Sequence, residues 1–469
     1  MKSTEVTSDT PAQSAPLFSG RALFSIIFPL ILQQILSITI GTADSMMVSY
    51  AGEAAVSGVS LVNTLDTLLV LVFTSLVSGG AVVVSQALGR KDLPAARASA
   101  KQLYWITTII AIVLSTIVII FRHPLLHLLF GSVEADVMES ALGYFFFVAL
   151  SFPLLAMDSA AAACFRAMGN SMVSLLVSLM MNLINLGGNA LFILVFEWGA
   201  VGAAVATLLA RIVGATVLTV LLHSKKNDVY LEKMLRYKPD FRVIRSILHI
   251  GVPNGIENGM FQFGKLLTQT LISTMPTAAI AANAVANTLA NIQYMTGAAF
   301  SNTMVTVVGR CIGAEEKEQA KRYSRLITLL EYLALFIMAL VTVIFAKPLI
   351  AVYDLSPDSS ALAYRLILYH SICAILVWPI AFTLPSAFRA SSDVRFPLVV
   401  SMFSMWTFRV ALSYIFSMET VSIWGWISFP GLGMGVAGVW VAMTVDWLFR
   451  TILFTWRYLS GKWLTVKRI

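Results

Sequence analysis

The chain has 469 residues, of which 58% are hydrophobic and only 12% charged, and its mean hydropathy is +0.82. Water-soluble domains carry about 25% charged residues, so the composition excludes that class and leaves an all-α polytopic membrane protein. The net charge of +8 would suggest a nucleic-acid partner on a soluble domain, but here the basic residues sit in short connections between apolar runs, where they report topology.

The first 20 residues are polar and lack the basic start and small-residue cleavage site of a secretory signal, so the first span is expected to direct insertion itself. Apolar runs of about 20 residues are long enough to span a bilayer. Twelve are expected, over 22–48, 57–87, 101–121, 139–164, 171–195, 200–222, 247–274, 281–309, 323–346, 361–387, 397–417 and 435–458. The first carries Asp44, and an acid at mid-span costs roughly 2.5–3.5 kcal/mol unless it faces protein or water. Gln34, Ser37, Gly41 and Asp44 follow one another at spacings of 3, 4 and 3, which places them in one stripe. Such a stripe lines a cavity, or packs a neighbouring helix through Ser37 and Gly41.

The first span has a partner further along. Pro29 recurs as Pro253, an offset of 224, and GEAAVSGVSLVNTL from Gly52 is echoed by PTAAIAANAVANTL from Pro276. The same offset pairs Asn63 with Asn287, Gly89 with Gly313 and Arg97 with Lys321. The expected architecture is therefore twelve transmembrane helices in two homologous six-helix bundles around a central cavity, related by an axis along the membrane normal. The divisions are a tail 1–20, a lobe 21–222, a basic linker 223–246, a lobe 247–460 and a tail 461–469. Lys and Arg collect in the even-numbered connections, whereas the odd-numbered ones hold only Arg122 and Lys347. By the positive-inside rule both termini are cytoplasmic. The linker stretch LEKMLRYKPDFRVIRSIL mixes basic and apolar residues and is expected to lie on the inner leaflet. Cys164, Cys311 and Cys373 each sit at or inside an apolar run and read as packing residues rather than a disulfide framework.

The second half carries its own charges. Glu257 and Lys265, 8 apart on the seventh span, lie on nearly one face, and Arg409 and Asp446 sit near mid-depth in the eleventh and twelfth spans. The offset sets Thr268 opposite Asp44, so the second half does not keep that acid. These charges form either a structural ion-pair network or a site that handles substrate or protons. Phe261, Tyr294, Trp378 and, beside Asp44, Met47 are either packing residues or the lining of an adaptable cavity. Neither a phosphate-binding GxxxxGK[ST] loop, nor HExxH, nor a His/Cys metal set is present, which argues against an enzyme and leaves an ion gradient as the energy source for uphill transport.

Several segments together resemble one family. They are the stretch from Pro29 to Asp44, QALGRKDLPAAR from Gln86 with its echo RCIGAEEKEQAK from Arg310, FRAMGN from Phe165 with its echo FRASSD from Phe388, and NLGGNALFIL from Asn185. In this order and spacing they resemble the multidrug and toxic compound extrusion (MATE) family over nearly the whole chain. The resemblance implies a V-shaped antiporter that exports small organic, often cationic, compounds in exchange for H⁺ or Na⁺. It also implies a cation-coupling set made of Asp44, Asn185, Asn189 and Thr207. Asn189 stands where several relatives place a second acid, and Phe261 stands where some branches place a seventh-helix acid. A single carboxylate favours H⁺, with Na⁺ the alternative. A candidate substrate cavity comprises Gln34, Met47, Glu257, Phe261, Lys265, Tyr294 and Trp378. No cofactor beyond the coupling ion and no resident metal other than Na⁺ at that site are expected. The expected setting is a monomer in a bacterial plasma (inner) membrane, in contact with the bilayer and with no nucleic acid. A lipid-linked sugar flippase of the same superfamily and a non-transporting membrane scaffold or receptor are the alternatives.

Overall fold

The structure, a computed structural model, describes residues 15–131, 133–232, 236–423 and 427–465. Residues 1–14 and 466–469 of the expected tails and 233–235 of the linker lie outside the described residues. Among the described residues, nine helices are long and apolar enough to cross a membrane, and Ala135–Leu150 with Phe152–Ala167, bent by 43°, makes a tenth span. Phe241–Ser273 and Thr277–Gly313 are equally long but more polar. With them the described residues hold twelve spans, six on each side of the linker. In chain order the first lobe contains Gly20–Ser49, Glu53–Gly89, Leu93–Phe130, the bent pair, Ser171–Val195 and Gly199–Leu222. The second lobe contains Phe241–Ser273, Thr277–Gly313, Lys317–Ile344, Pro357–Ala390, Arg395–Ser417 and Val436–Leu459.

Several boundaries differ from expectation for local reasons. The third span, expected at 101–121, begins at Leu93, because Asp92 caps it by accepting from the Ala95 N–H at 3.0 Å, and it then runs on to Phe130. The fourth, expected as one run, breaks at Ser151: Pro153 has no N–H to continue the preceding helix, and Arg211 donates to Ser151 Oγ at 2.6 Å there. Three π-helical turns interrupt other spans, at Ala190–Val195, Pro379–Thr383 and Met405–Ala411. The first two begin just after Asn189 and Trp378, and the third contains Arg409; such turns are frequent at functional positions. A short helix Ala346–Ala351 and a hairpin of Thr420–Ile423 with Ile427–Pro430 lie in stretches read from the sequence as plain connections.

The lobes meet at the end that carries the basic connections, and they meet symmetrically. The second span packs along the seventh and eighth. A Cβ at Gly89 would fall on the Arg310 carbonyl, and one at Gly313 would fall on that of Gln86, so both crossings need the bare backbone of glycine. Gln86 Nε2 donates to the Ala390 carbonyl at 2.8 Å, and Arg310 Nε donates to the Ala167 carbonyl at 2.8 Å. Leu23 and Ile26 of the first span are buried in the second lobe's core, while Ile247 and Ile250 of the seventh are buried in the first lobe's. Gln86 and Arg310, like Leu23 and Ile247, are 224 positions apart, so one pseudo-twofold axis generates the whole closed end. Away from it, Asn63, Thr64, Thr67 and Leu68 of the second span are exposed, and space opens between the halves.

The linker makes protein contacts of its own. Helix begins only at Phe241, where Asp240 caps it. Before that, the chain folds back on the third span. Arg97 donates to the Asp228 carbonyl at 2.9 Å, Lys101 to the Glu232 and Arg236 carbonyls at 3.1 and 3.0 Å, and Gln102 to that of Lys238 at 2.8 Å. Val229 and Leu231 are buried. Backbone carbonyls and apolar side chains thus find protein partners and do not need the lipid surface. The segment ahead of the first span does likewise on the ninth, where Tyr323 Oη bonds both the N–H and the carbonyl of Phe18, at 3.0 and 2.8 Å.

Candidate coupling site and cavity

Each lobe holds a polar site within its apolar interior. In the first, Asp44 of the first span meets the fifth and sixth. Asn189 Nδ2 donates to Asp44 Oδ1. With its nitrogen toward the carboxylate, the Asn185 amide donates to both Asp44 oxygens, at 2.7 and 3.1 Å, while its oxygen accepts from Thr207 Oγ1 at 3.1 Å. Thr207 Oγ1 also lies 3.0 Å from the Ala203 carbonyl. Asn185 and Asn189 are buried, as the i, i+4 spacing on one helix face requires for a shared partner. Asn189 Oδ1 is buried with no hydrogen-bond partner, an orphaned acceptor beside the acid. The four residues the resemblance singled out therefore sit together. Of the rest of the first-span stripe, Ser37 and Gly41 are exposed and Gln34 half-buried. Met47 packs beside Val48, Ile193 and Ala203 as a core residue, away from the cavity.

The second site is a cavity of about 770 Å³ between the seventh, eighth, eleventh and twelfth spans, bordered by Thr64, Thr67 and Leu68 of the first lobe. A smaller chamber of about 150 Å³ continues it among Phe261, Tyr294, Trp378, Trp440 and Trp447. Lys265 and Arg409 line both. Trp378 is stacked between Tyr294 and Phe382, with ring centroids 5.0 and 5.1 Å away. Tyr294 Oη is hydrogen-bonded to His370 Nε2.

The charges of the second half form two clusters, not one network. Glu257 does not line either chamber: it is paired with Arg389 at 3.2 Å and accepts from Ser401 at 2.8 Å. Asp446 is held by Arg450 at 2.8 Å and lies 3.9 Å from Arg409. Lys265 joins neither pair, and its ammonium sits 6.0 Å from the Phe261 ring.

A family model described as MatE matches the chain twice, at residues 29–191 and 253–415, two stretches offset by the same 224 positions and together covering well over half of it. The chain belongs to the MATE family. It is 27% identical over 455 residues to "Uncharacterized transporter YisQ" of Bacillus subtilis, covering 94% of this chain and 95% of that protein. It is 25% identical over 459 residues to "Probable multidrug resistance protein NorM" of Thermotoga maritima, covering 94% and 93%. Its fold matches a crystal structure of a MATE protein in the bent conformation with a TM-score of 0.82 at 16% identity, over 95% of this chain and 96% of that one. An outward-facing MATE transporter matches with the same score and identity over 95% and 97%. The protein is thus a multi-pass membrane transporter.

Within this MATE fold, further polar residues escaped the sequence reading. Glu331 of the ninth span is fully buried and accepts from Thr383 at 2.7 Å. In the first lobe Asp66, Arg211, Asp158 and Arg166 form a belt of facing charges. On the eighth span, Asn283, Asn287 and Asn291 line the two chambers together with Tyr294, which was expected there; the spacings of 4, 4 and 3 are a legible helical stripe.

Proposed function

We propose that the protein is a secondary antiporter that exports small organic compounds in exchange for H⁺ or Na⁺ by rocking its two lobes, and that Asp44 is the coupling residue. The observation that carries this reading is the cluster of Asp44, Asn185, Asn189 and Thr207, a half-buried acid whose hydrogen-bond partners are neutral amides and not a paired cation. Its chemistry fits either ion. A proton on Asp44 has an acceptor ready in Asn189 Oδ1, which lacks any other partner. A Na⁺ ion would take oxygens from the carboxylate, the two amides and the Thr207 hydroxyl, with the amide oxygens turned toward it. The presence of only one carboxylate in the set favours H⁺.

Neutralising Asp44 removes a charge whose burial is expensive, so the occupied and empty states of the site favour different arrangements of the lobes. An ion entering from outside would load Asp44 as substrate leaves, and ion release to the cytoplasm would reset the cycle. We place the protein as a monomer in the plasma (inner) membrane of a bacterial cell with both termini cytoplasmic, on the strength of the basic even-numbered connections. The closed end is then the cytoplasmic one and the cavity opens outward. No cofactor beyond the coupling ion is required. The relative from Thermotoga maritima, by its name a multidrug resistance protein, supports organic compounds as the cargo.

The test uses protein reconstituted in liposomes loaded with acid or with Na⁺. Two probes of matched shape and permanent charge are offered outside, naphthalene-2-sulfonate and 2-naphthyltrimethylammonium. Uptake of at least one probe driven by the acid lumen is expected. Uptake driven by Na⁺ alone would assign the other ion, and no uptake under either gradient would contradict antiport.

A further inference from the structure

The paired chambers of the second lobe carry a surplus of positive charge that nothing in the fold uses. Three cationic groups surround one ring: Arg409 at 5.2 Å from the centre of Phe261, Arg450 at 5.6 Å and Lys265 at 6.0 Å. A single carboxylate answers them. Asp446 is fully buried and bonded to Arg450 at 2.8 Å, and Arg409 stands 3.9 Å from it, beyond hydrogen-bond reach. Lys265 has no acid within ion-pair distance among the described residues, and it is exposed to the cavity, about two turns before the end of the helix Phe241–Ser273. Neither chamber has an Asp or Glu in its lining among the described residues. An unpaired ammonium at membrane depth is stable only where water or a counter-charge reaches it.

We propose that these chambers bind an aromatic organic anion, its carboxylate or sulfonate group held by Lys265 and Arg409 and its ring system seated against Tyr294, Trp378 and Trp440. This deepens the export reading above and rests on it for the direction of movement. Arg presents a planar fork to an oxyanion, and Lys a mobile point charge. The exposed amides of Asn287 and Asn291 add neutral donors beside them. Trp378 is sandwiched between Tyr294 and Phe382, so an aromatic body meets its ring edge, and edge-to-face packing is one of the arrangements aromatic pairs prefer. The inner chamber, about 150 Å³, matches the size of cavity that takes up a benzene ring in another protein. An organic cation of the same shape would meet two like charges in a low-dielectric space and no carboxylate, which is a specificity element by repulsion.

The test is equilibrium binding of labelled naphthalene-2-sulfonate and 2-naphthyltrimethylammonium to the full-length protein in nanodiscs of zwitterionic lipid. The sulfonate should bind at least about tenfold more tightly than the ammonium probe. Lys265→Met should weaken sulfonate binding about tenfold or more, the range of one charge-assisted hydrogen bond, while Lys265→Arg keeps most of it. Equal or tighter binding of the ammonium probe, binding of neither probe, or unchanged sulfonate affinity in a folded Lys265→Met protein would each overturn the proposal. The comparison of the two probes on the unmodified protein decides the matter even if Lys265→Met does not fold. Sulfonate binding without movement of either probe under an H⁺ or Na⁺ gradient would sink the export reading and leave the site standing. Gradient-driven movement of the ammonium probe with no sulfonate binding would do the reverse.

Discussion

Asp44 and Asp446 show how the same side chain takes two roles in one membrane interior. Asp44 is ringed by neutral amides and a hydroxyl, so its charge can be exchanged for a bound ion without breaking an ion pair. Asp446 is clamped by Arg450 and faces Arg409, and removing its charge leaves two guanidinium groups with one acid fewer between them. Breaking a buried pair from one side typically costs about 3–5 kcal/mol. Asp446→Asn should therefore lower the melting temperature of the purified protein by many degrees; an unchanged melting curve would show that Asp446 carries no such load. Glu257→Gln removes the charge that faces Arg389 outside the cavity, and it should reduce stability while leaving gradient-driven uptake in liposomes intact. Loss of coupling in a stable Glu257→Gln protein would move that acid into the mechanism. Asp44 was legible in the sequence because a lone acid in a first apolar run is conspicuous. Glu331, Asp66 and Arg211 were passed over, although Ser324, Thr328 and Glu331 follow at spacings of 4 and 3 and Thr207 and Arg211 at 4, because the partner each meets is set by packing against another span.

At the scale of elements, the closed end is a pair of glycine crossings and a pair of side chain to carbonyl latches, each repeated at the 224 offset. The FRAMGN and FRASSD echoes visible in the sequence supply the latch acceptors Ala167 and Ala390. Their use could not be read from the sequence, since it depends on which helix end meets them. The linker's contacts were hidden for a related reason: its basic and apolar mixture gives no sign that Arg97, Lys101 and Gln102 of the third span bond its carbonyls. Gly89→Leu puts a side chain where the Arg310 carbonyl lies, so it should shift the population away from the closed end. Spin labels on Lys91→Cys and Lys317→Cys, both exposed there, should report a longer distance in Gly89→Leu than in the parent. An unchanged distance would mean that the crossing is not what holds the lobes together.

For the molecule as a whole, twelve spans in two related halves follow from hydrophobic periodicity and one offset, because burying apolar helices in lipid leaves few other solutions. Which faces of those helices look inward does not follow, and so the sequence grouped Gln34, Met47, Glu257, Phe261, Lys265, Tyr294 and Trp378 as one cavity, although Gln34, Met47 and Glu257 line neither chamber and the other four do. Orientation rests on loop charge alone. A cysteine replacing the exposed Lys226 of the linker should react with impermeant thiol reagents only from the cytoplasmic side, and labelling from outside intact cells would reverse the topology. The central claim is that Asp44 couples an ion gradient to export, and the most direct measurement is probe uptake into acid- or Na⁺-loaded liposomes by Asp44→Asn beside the parent protein. Asp44→Asn should insert, stay folded and lose uphill accumulation under both gradients. Full uphill accumulation by Asp44→Asn would contradict that claim.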